Sequence, residues 1–145
     1  MPIVNFHLLA GHSTAEQDER LLVEASRLYS ELLAAPIERV RTFITAHAPG
    51  QFAVGGEPCS QGGAHAPYFE CIVFAGRSVE QRQSLLRAFT ELLVEVLGVR
   101  RELVRGSCRC VAPEDWAIGG VPASVLRAEE VAARARVAEG SGDEA

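Results

Sequence analysis

Pro2 follows an initiator methionine directly, and methionine before a small residue such as proline is normally removed. Cleavage would turn Pro2 from an amide into a secondary amine at the chain terminus, a group that can accept a proton. An α-amino group titrates near about 8, and a neighbouring guanidinium or an apolar pocket disfavours its protonated form. Such an amine is drawn toward neutrality, where a general base works best. The competing reading is that Pro2 does no more than open an edge strand.

The other reactive groups are four cysteines, Cys59, Cys71, Cys108 and Cys110. The N-terminus lacks the charged and long apolar regions of an export signal, so disulfides are disfavoured and a cytoplasmic protein is expected. A metal site would have to recruit Cys108 and Cys110 with Cys59, Cys71 or His65. C-x-C in a strand-like run lacks the C-x-x-C knuckle spacing of common zinc sites. The expectation is thiols packed as small apolar groups, with no metal.

What makes Pro2 informative is its place in an internal repeat. Pro2 to His12 and Pro67 to Arg77 are both ten residues, ending in the similar strings LLAGHS (8–13) and VFAGRS (73–78). His12 to Arg41 is 29 residues and Arg77 to Arg105 is 28, and each later arginine follows a valine, Val40 or Val104. Arg41 to Phe52 and Arg105 to Trp116 are both 11, and each aromatic precedes a Gly-Gly pair by the same interval. The chain is a duplicated unit of about 60 residues. Only one copy can carry a terminal amine, because the nitrogen of Pro67 is an amide.

Each unit reads as strand, helix, strand. Ile3 to Leu9 opens the first, and Ser13-x-x-Glu16 has the spacing of a capping box at a helix start. Leu21, Leu22, Ala25, Leu28, Tyr29, Leu32 and Leu33 then follow helical periodicity, stopped at Pro36. Ser78-x-x-Gln81 caps the equivalent helix, whose stripe is Leu85, Leu86, Phe89, Leu92, Leu93, Val96 and Leu97, ended by Gly98. Second strands are expected at about 40–47 and 103–111. Alternation puts Arg41, Phe43 and Thr45 on one face of the first and Arg105, Ser107 and Arg109 on one face of the other.

A β-α-β crossover makes the two strands of a unit parallel with the helix on one side. The expected fold is therefore α+β: tandem β-α-β repeats forming a four-stranded sheet with two helices on one face. The opposite face, carrying Phe43 or its neighbours, needs other chains to cover it, so an oligomer is expected. The expected units are 2–56 and 67–122, with 57–66 as connector and 123–145 as a C-terminal extension, within one structural domain. A short helix is expected over 123–138 through Leu126, Val131 and Ala132, and the final residues, GSGDEA, should fray.

Composition limits the partners. The chain has 145 residues, 14 Lys and Arg against 19 Asp and Glu, a net charge of -5, and no basic run interleaved with aromatics. Nucleic acid and anionic membrane are poor partners for such a surface, and no stretch is long and apolar enough to span a bilayer.

These residues resemble the tautomerase superfamily. The first half is similar to 4-oxalocrotonate tautomerase: Met-Pro at the start, Leu8 to Ser13 where that family has a Gly-Arg-Ser turn, then Ala35-Pro36, Val40-Arg41, Phe52 and Gly55-Gly56. The second half keeps the turn itself as Gly76-Arg77-Ser78. Length and fusion resemble the superfamily's fused members, which include cis-3-chloroacrylic acid dehalogenase and malonate semialdehyde decarboxylase and assemble as homotrimers. No single motif is specific, and the joint spacing over about 120 residues carries the resemblance.

The resemblance implies roles. Pro2 is the expected catalytic base, and the turn and Val-Arg arginines are expected to bind the carboxylate and the oxo or enol oxygen, for which the candidates are Arg77, Arg105 and Arg41. The other reading of Arg41 and Arg105 is solvated or interface charge. His12 replaces the turn arginine of the first half. Phe52 and Trp116 would line an apolar pocket or seal chain contacts, and Tyr29 is core. The glutamate of the dehalogenases falls on Ile118, with Glu114 and Asp115 nearby at other offsets. Glu38 approximates an aspartate of the decarboxylase, but Phe74 and Ala75 supply no second arginine. The implied activity is a tautomerase moving a proton on a small unsaturated 2-oxo acid or its enol, as a cofactor-free homotrimer. The rival reading is a trimeric scaffold or ligand-binding protein without catalysis.

Overall fold

A computed structural model describes residues 1–142. Strand β1 (Ile3–Leu9) turns Val4, Phe6 and Leu8 inward and is followed by helix α1 (Ala15–Leu33). The helix starts one residue later than Ser13 predicts. Thr14 is the N-cap, accepting from the Gln17 amide while the Gln17 side chain accepts from the Thr14 amide. Ser13 is committed elsewhere, donating to the Asp18 carboxylate at 2.6 Å. The cap therefore passes to the neighbouring hydroxyl.

The chain continues through β2 (Arg41–His47) to a small hairpin of β3 (Ala53–Val54) and β4 (Glu57–Pro58). Gly55 and Gly56, at φ 62° and 80°, supply the pair of left-handed residues that a two-residue hairpin turn needs. This hairpin takes Glu57 and Pro58 out of the expected connector. The second unit repeats the plan with β5 (Tyr68–Phe74), α2 (Val79–Leu97), β6 (Arg105–Val111) and a hairpin of β7 (Ala117–Ile118) and β8 (Val121–Pro122). Ser78 and Gln81 form the expected capping box.

The four long strands make one mixed sheet in the order β2-β1-β5-β6, antiparallel at the centre and parallel within each unit. The register repeats as well: the Arg41 amide donates to Pro2 O at 3.0 Å, and the Arg105 amide donates to Pro67 O at 3.0 Å. Both helices cover one face. Val4, Phe6, Phe69, Cys71 and Val73 form a core beneath them with Leu21, Tyr29, Leu85, Phe89 and Leu93. Phe89 meets Phe6 and Tyr29 edge-on at 5.8 and 5.2 Å. The buried Tyr29 hydroxyl is shared between Ile3 O (3.0 Å) and Ile72 O (2.9 Å), tying the two central strands to α1, and burial pushes its pKa well up. Gly106 sits under the Phe69 ring, where a Cβ would collide with it.

The helix-free face is mostly polar. His7 Nδ1 pairs with His47 Nε2 at 2.9 Å, Thr45 donates to Asn5 at 3.0 Å, His7 Nε2 lies 3.3 Å from Glu70, and Tyr68 bonds Ser107 at 2.8 Å. Phe43 stands among them half-exposed.

The extension is two helices rather than one, α3 (Ala123–Leu126) and α4 (Ala128–Gly142). Its Ala- and Glu-rich sequence favours helix and carries α4 through the first three residues of the expected frayed end; 143–145 lie outside the described residues. Ala123 is fully buried, its amide donating to Trp116 O at 2.8 Å. The four cysteines are free thiols, with Cys71 and Cys108 adjacent across β5 and β6. Among the described residues no helix is long and apolar enough to cross a membrane, and no group of three or more His, Cys, Asp or Glu could hold a metal ion.

Candidate active site

The parallel pairing within a unit and the antiparallel join between units bring the start of β1 and β2 to the end of β5. Pro2 is buried there, beside Arg41 at the first position of β2. Arg77 arrives from the other unit, on the turn after β5, where Gly76 takes φ 104°. Its Nη1 donates to Leu33 O at 2.9 Å, one of the free carbonyls ending α1. Pro2, Arg41 and Arg77 line a cavity of about 550 Å³ together with Phe74, Trp116 and Ile118. Phe74 and Trp116 meet edge-on at 6.5 Å, forming an apolar wall.

The electrostatics are one-sided. Arg39, Arg127 and Arg134 also line the cavity, against Glu38 as the one acidic residue of its lining among the described residues. The chain-terminal amine, carried by Met1, has its pKa lowered first by burial and then by Arg41, Arg39 and Arg127. Burial likewise lowers the pKa of Arg77, helped by Arg134 and opposed by Glu130, though a guanidinium remains charged. Arg41 is braced by its own loop, Nη1 donating to Glu38 O at 2.9 Å and Val40 O at 3.3 Å.

Two sequence-family profiles, each described as tautomerase enzyme, match the chain, one over residues 41–119 and the other over residues 2–61. The first spans more than half of it. The chain belongs to the tautomerase family.

Among this tautomerase's curated relatives, a 2-hydroxymuconate tautomerase from Pseudomonas fluorescens is 48% identical over 61 residues, which is 42% of this chain and 95% of the relative. The chain is also similar to solved fused proteins. A native fused 4-OT superposes with a TM-score of 0.80 at 27% identity, covering 86% of this chain and 98% of the other. A wild-type fused 4-OT solved as an asymmetric trimer gives 0.77 at 26%, with the same coverage. Residues 120–145 lie beyond both profile matches.

Of the residues singled out in the tautomerase sequence, the structure gathers Pro2, Arg41, Arg77 and Trp116 in one cavity and leaves Arg105 and Phe52 at the opposite end of the sheet. Arg105 holds Glu102 O at 2.7 Å and Val104 O at 3.0 Å, repeating the posture of Arg41 beside Pro67. Phe52 packs 5.8 Å from His47. His12 lies on that side too, 5.5 Å from His65. Ile118 faces the cavity, whereas Glu114 and Asp115 are exposed outside its lining. Sequence reasoning missed Arg39, Arg127 and Arg134. The signal for the last two was their spacing: Arg127, Glu130 and Arg134 fall at i, i+3 and i+7, one face of a helix.

Proposed function

We propose that the tautomerase uses the amine of Pro2, freed of Met1, as general base on a small unsaturated 2-oxo acid or its enol. The observation that carries this reading is the cavity itself, which collects Pro2 and Arg41 from one unit with Arg77 and Trp116 from the other. The Pro2 nitrogen takes the proton of the enol hydroxyl, the oxygen's electron pair forms the carbonyl, and the double bond shifts. The protonated amine then returns the proton to carbon, leaving the base regenerated. Arg77 and Arg41 hold the carboxylate and the oxygen on which charge develops, an interaction strengthened by the apolar wall of Phe74, Trp116 and Ile118. The environment that lowers the terminal amine's pKa supports a neutral, proton-accepting Pro2.

The assembly proposed is a homotrimer, supported by the half-exposed Phe43 on an uncovered sheet face and by the trimer of the fused relative. Arg105 and Phe52 stand too far along the sheet to serve the Pro2 cavity of their own chain. Their proposed roles in substrate binding therefore belong to a neighbouring subunit's site.

The test is ketonisation of 2-hydroxymuconate followed by absorbance. The wild type should turn it over, and Pro2→Ala should lose activity at least about tenfold with the fold retained, since a freer primary amine replaces the ring nitrogen. Equal turnover by the two proteins would overturn the reading.

A further inference from the structure

We propose that the C-terminal extension is a functional wall of the cavity, with Arg127 and Arg134 binding the second carboxylate of a dianionic substrate. The inference rests on reading the Pro2 cavity as the substrate site.

The extension is built onto the site rather than trailing from it. Arg39, at the mouth of β2, takes the Glu130 carboxylate in a two-pronged pair at 2.9 and 3.1 Å, with Arg39 only 26% exposed. Arg134 crosses over the turn that carries Arg77, its Cβ 3.9 Å from where a side chain on Gly76 would begin. The buried Ala123 anchors the other end against Trp116.

The cavity's arginines are not equally free. Arg39 is neutralised by Glu130, Arg77 is held by Leu33 O, and Arg41 is held by two carbonyls of its own loop. Among the described residues Arg127 and Arg134 have no carboxylate within 4 Å, feeling Glu130 only at longer range, and Nη1 of Arg134 is buried without a hydrogen-bond partner. A buried donor on a cation is costly to leave unmet, and Arg134 also stands near the like charge of Arg77. An anion placed between them would satisfy the donor and relieve the repulsion. Arg77 and Arg41 suffice for one carboxylate and the oxygen beside it. The extension thus adds a second anionic subsite, and the family profiles end before it, at residue 119.

The probes are muconate and sorbate, planar six-carbon dienes that differ by one carboxylate and lack the enol hydroxyl, so that binding requires no proton transfer. Isothermal titration calorimetry on the full chain should give muconate at least about tenfold the affinity of sorbate. Arg127→Gln and Arg134→Gln, both shown folded by circular dichroism, should each weaken muconate about five- to tenfold and leave sorbate within about twofold. Equal losses on both ligands, no loss on muconate, or a wild type that does not discriminate would overturn the inference. Failure of Pro2 as base would show in turnover alone and leave these affinities unchanged, so the two failures are distinguishable.

Discussion

Arg77 Nη1 donates to the carbonyl of Leu33 at 2.9 Å, so the turn of the second unit is bonded to the helix end of the first. The contact aligns a cation with the negative end of the α1 dipole and leaves the rest of the guanidinium fork toward the cavity. The cavity draws on both units, since neither alone contains both Pro2 and Arg77.

Arg77→Ala should therefore cost on the order of 2 to 4 kcal/mol in kcat/KM, chiefly by lowering kcat, because a charged partner of the developing enolate is lost. Its effect on stability should be smaller, about 1 kcal/mol for one lost hydrogen bond. Steady-state kinetics and urea titration of the same variant separate the two.

Pro67 is the control for Pro2. It is buried and accepts from the Arg105 amide just as Pro2 accepts from Arg41, but its nitrogen is bonded on both sides. Pro67→Ala should change activity less than about threefold, well under 1 kcal/mol of barrier. An equal loss at Pro2 and Pro67, measured side by side, would show that both prolines act only through the fold.

Gly106 should tolerate no side chain at full stability. A Cβ there meets the Phe69 ring, at the centre of the aromatic core, so Gly106→Ala should destabilise by about 1 to 3 kcal/mol. Chemical denaturation reads the loss, and kcat of the remaining folded protein should hold, because Gly106 lies away from the cavity.

The pH profile follows from the sign of the amine's shift. Burial and the charges of Arg41, Arg39 and Arg127 lower the pKa of the Met1 amine, and a Pro2 amine freed beside the same guanidinium groups should be lowered in the same direction, so that the neutral base is present above a depressed midpoint. kcat/KM should rise with pH to a plateau and fall away as the amine protonates on the acid side. Arg39→Gln removes one of those charges and leaves Glu130 unpaired, so its acid limb should move to higher pH. A limb that stays in place would separate the amine from the titrating group.

Much of this was legible from spacing. The duplicated intervals placed both β-α-β units and the two helices, because periodicity and turn residues act locally, while Pro2, Arg41, Arg77 and Trp116 were singled out together with Arg105 and Phe52 by the family resemblance. Which end of the sheet each residue occupies depends on β1 pairing antiparallel with β5, a long-range choice that sequence spacing does not record. That pairing separates Arg105 and Phe52 from Pro2. The Thr14 cap escaped notice for a similar reason, since the bond from Ser13 to Asp18 competes with a capping pattern that fits equally well one residue earlier. Arg127 and Arg134 were hidden in an alanine-rich tail whose docking rests on long-range contacts, the Arg39–Glu130 pair and the burial of Ala123 against Trp116.

The amine of Pro2 is proposed as the nucleophilic, proton-accepting group of the cavity. Treating the purified protein with 2-oxo-3-pentynoate, an electrophilic acetylenic 2-oxo acid, and measuring the intact and peptide masses tests it most directly. A chain lacking Met1, carrying one adduct on Pro2 and losing tautomerase activity in step with labelling, is the predicted result. Retained Met1, or inactivation with the label on any other residue, would contradict it.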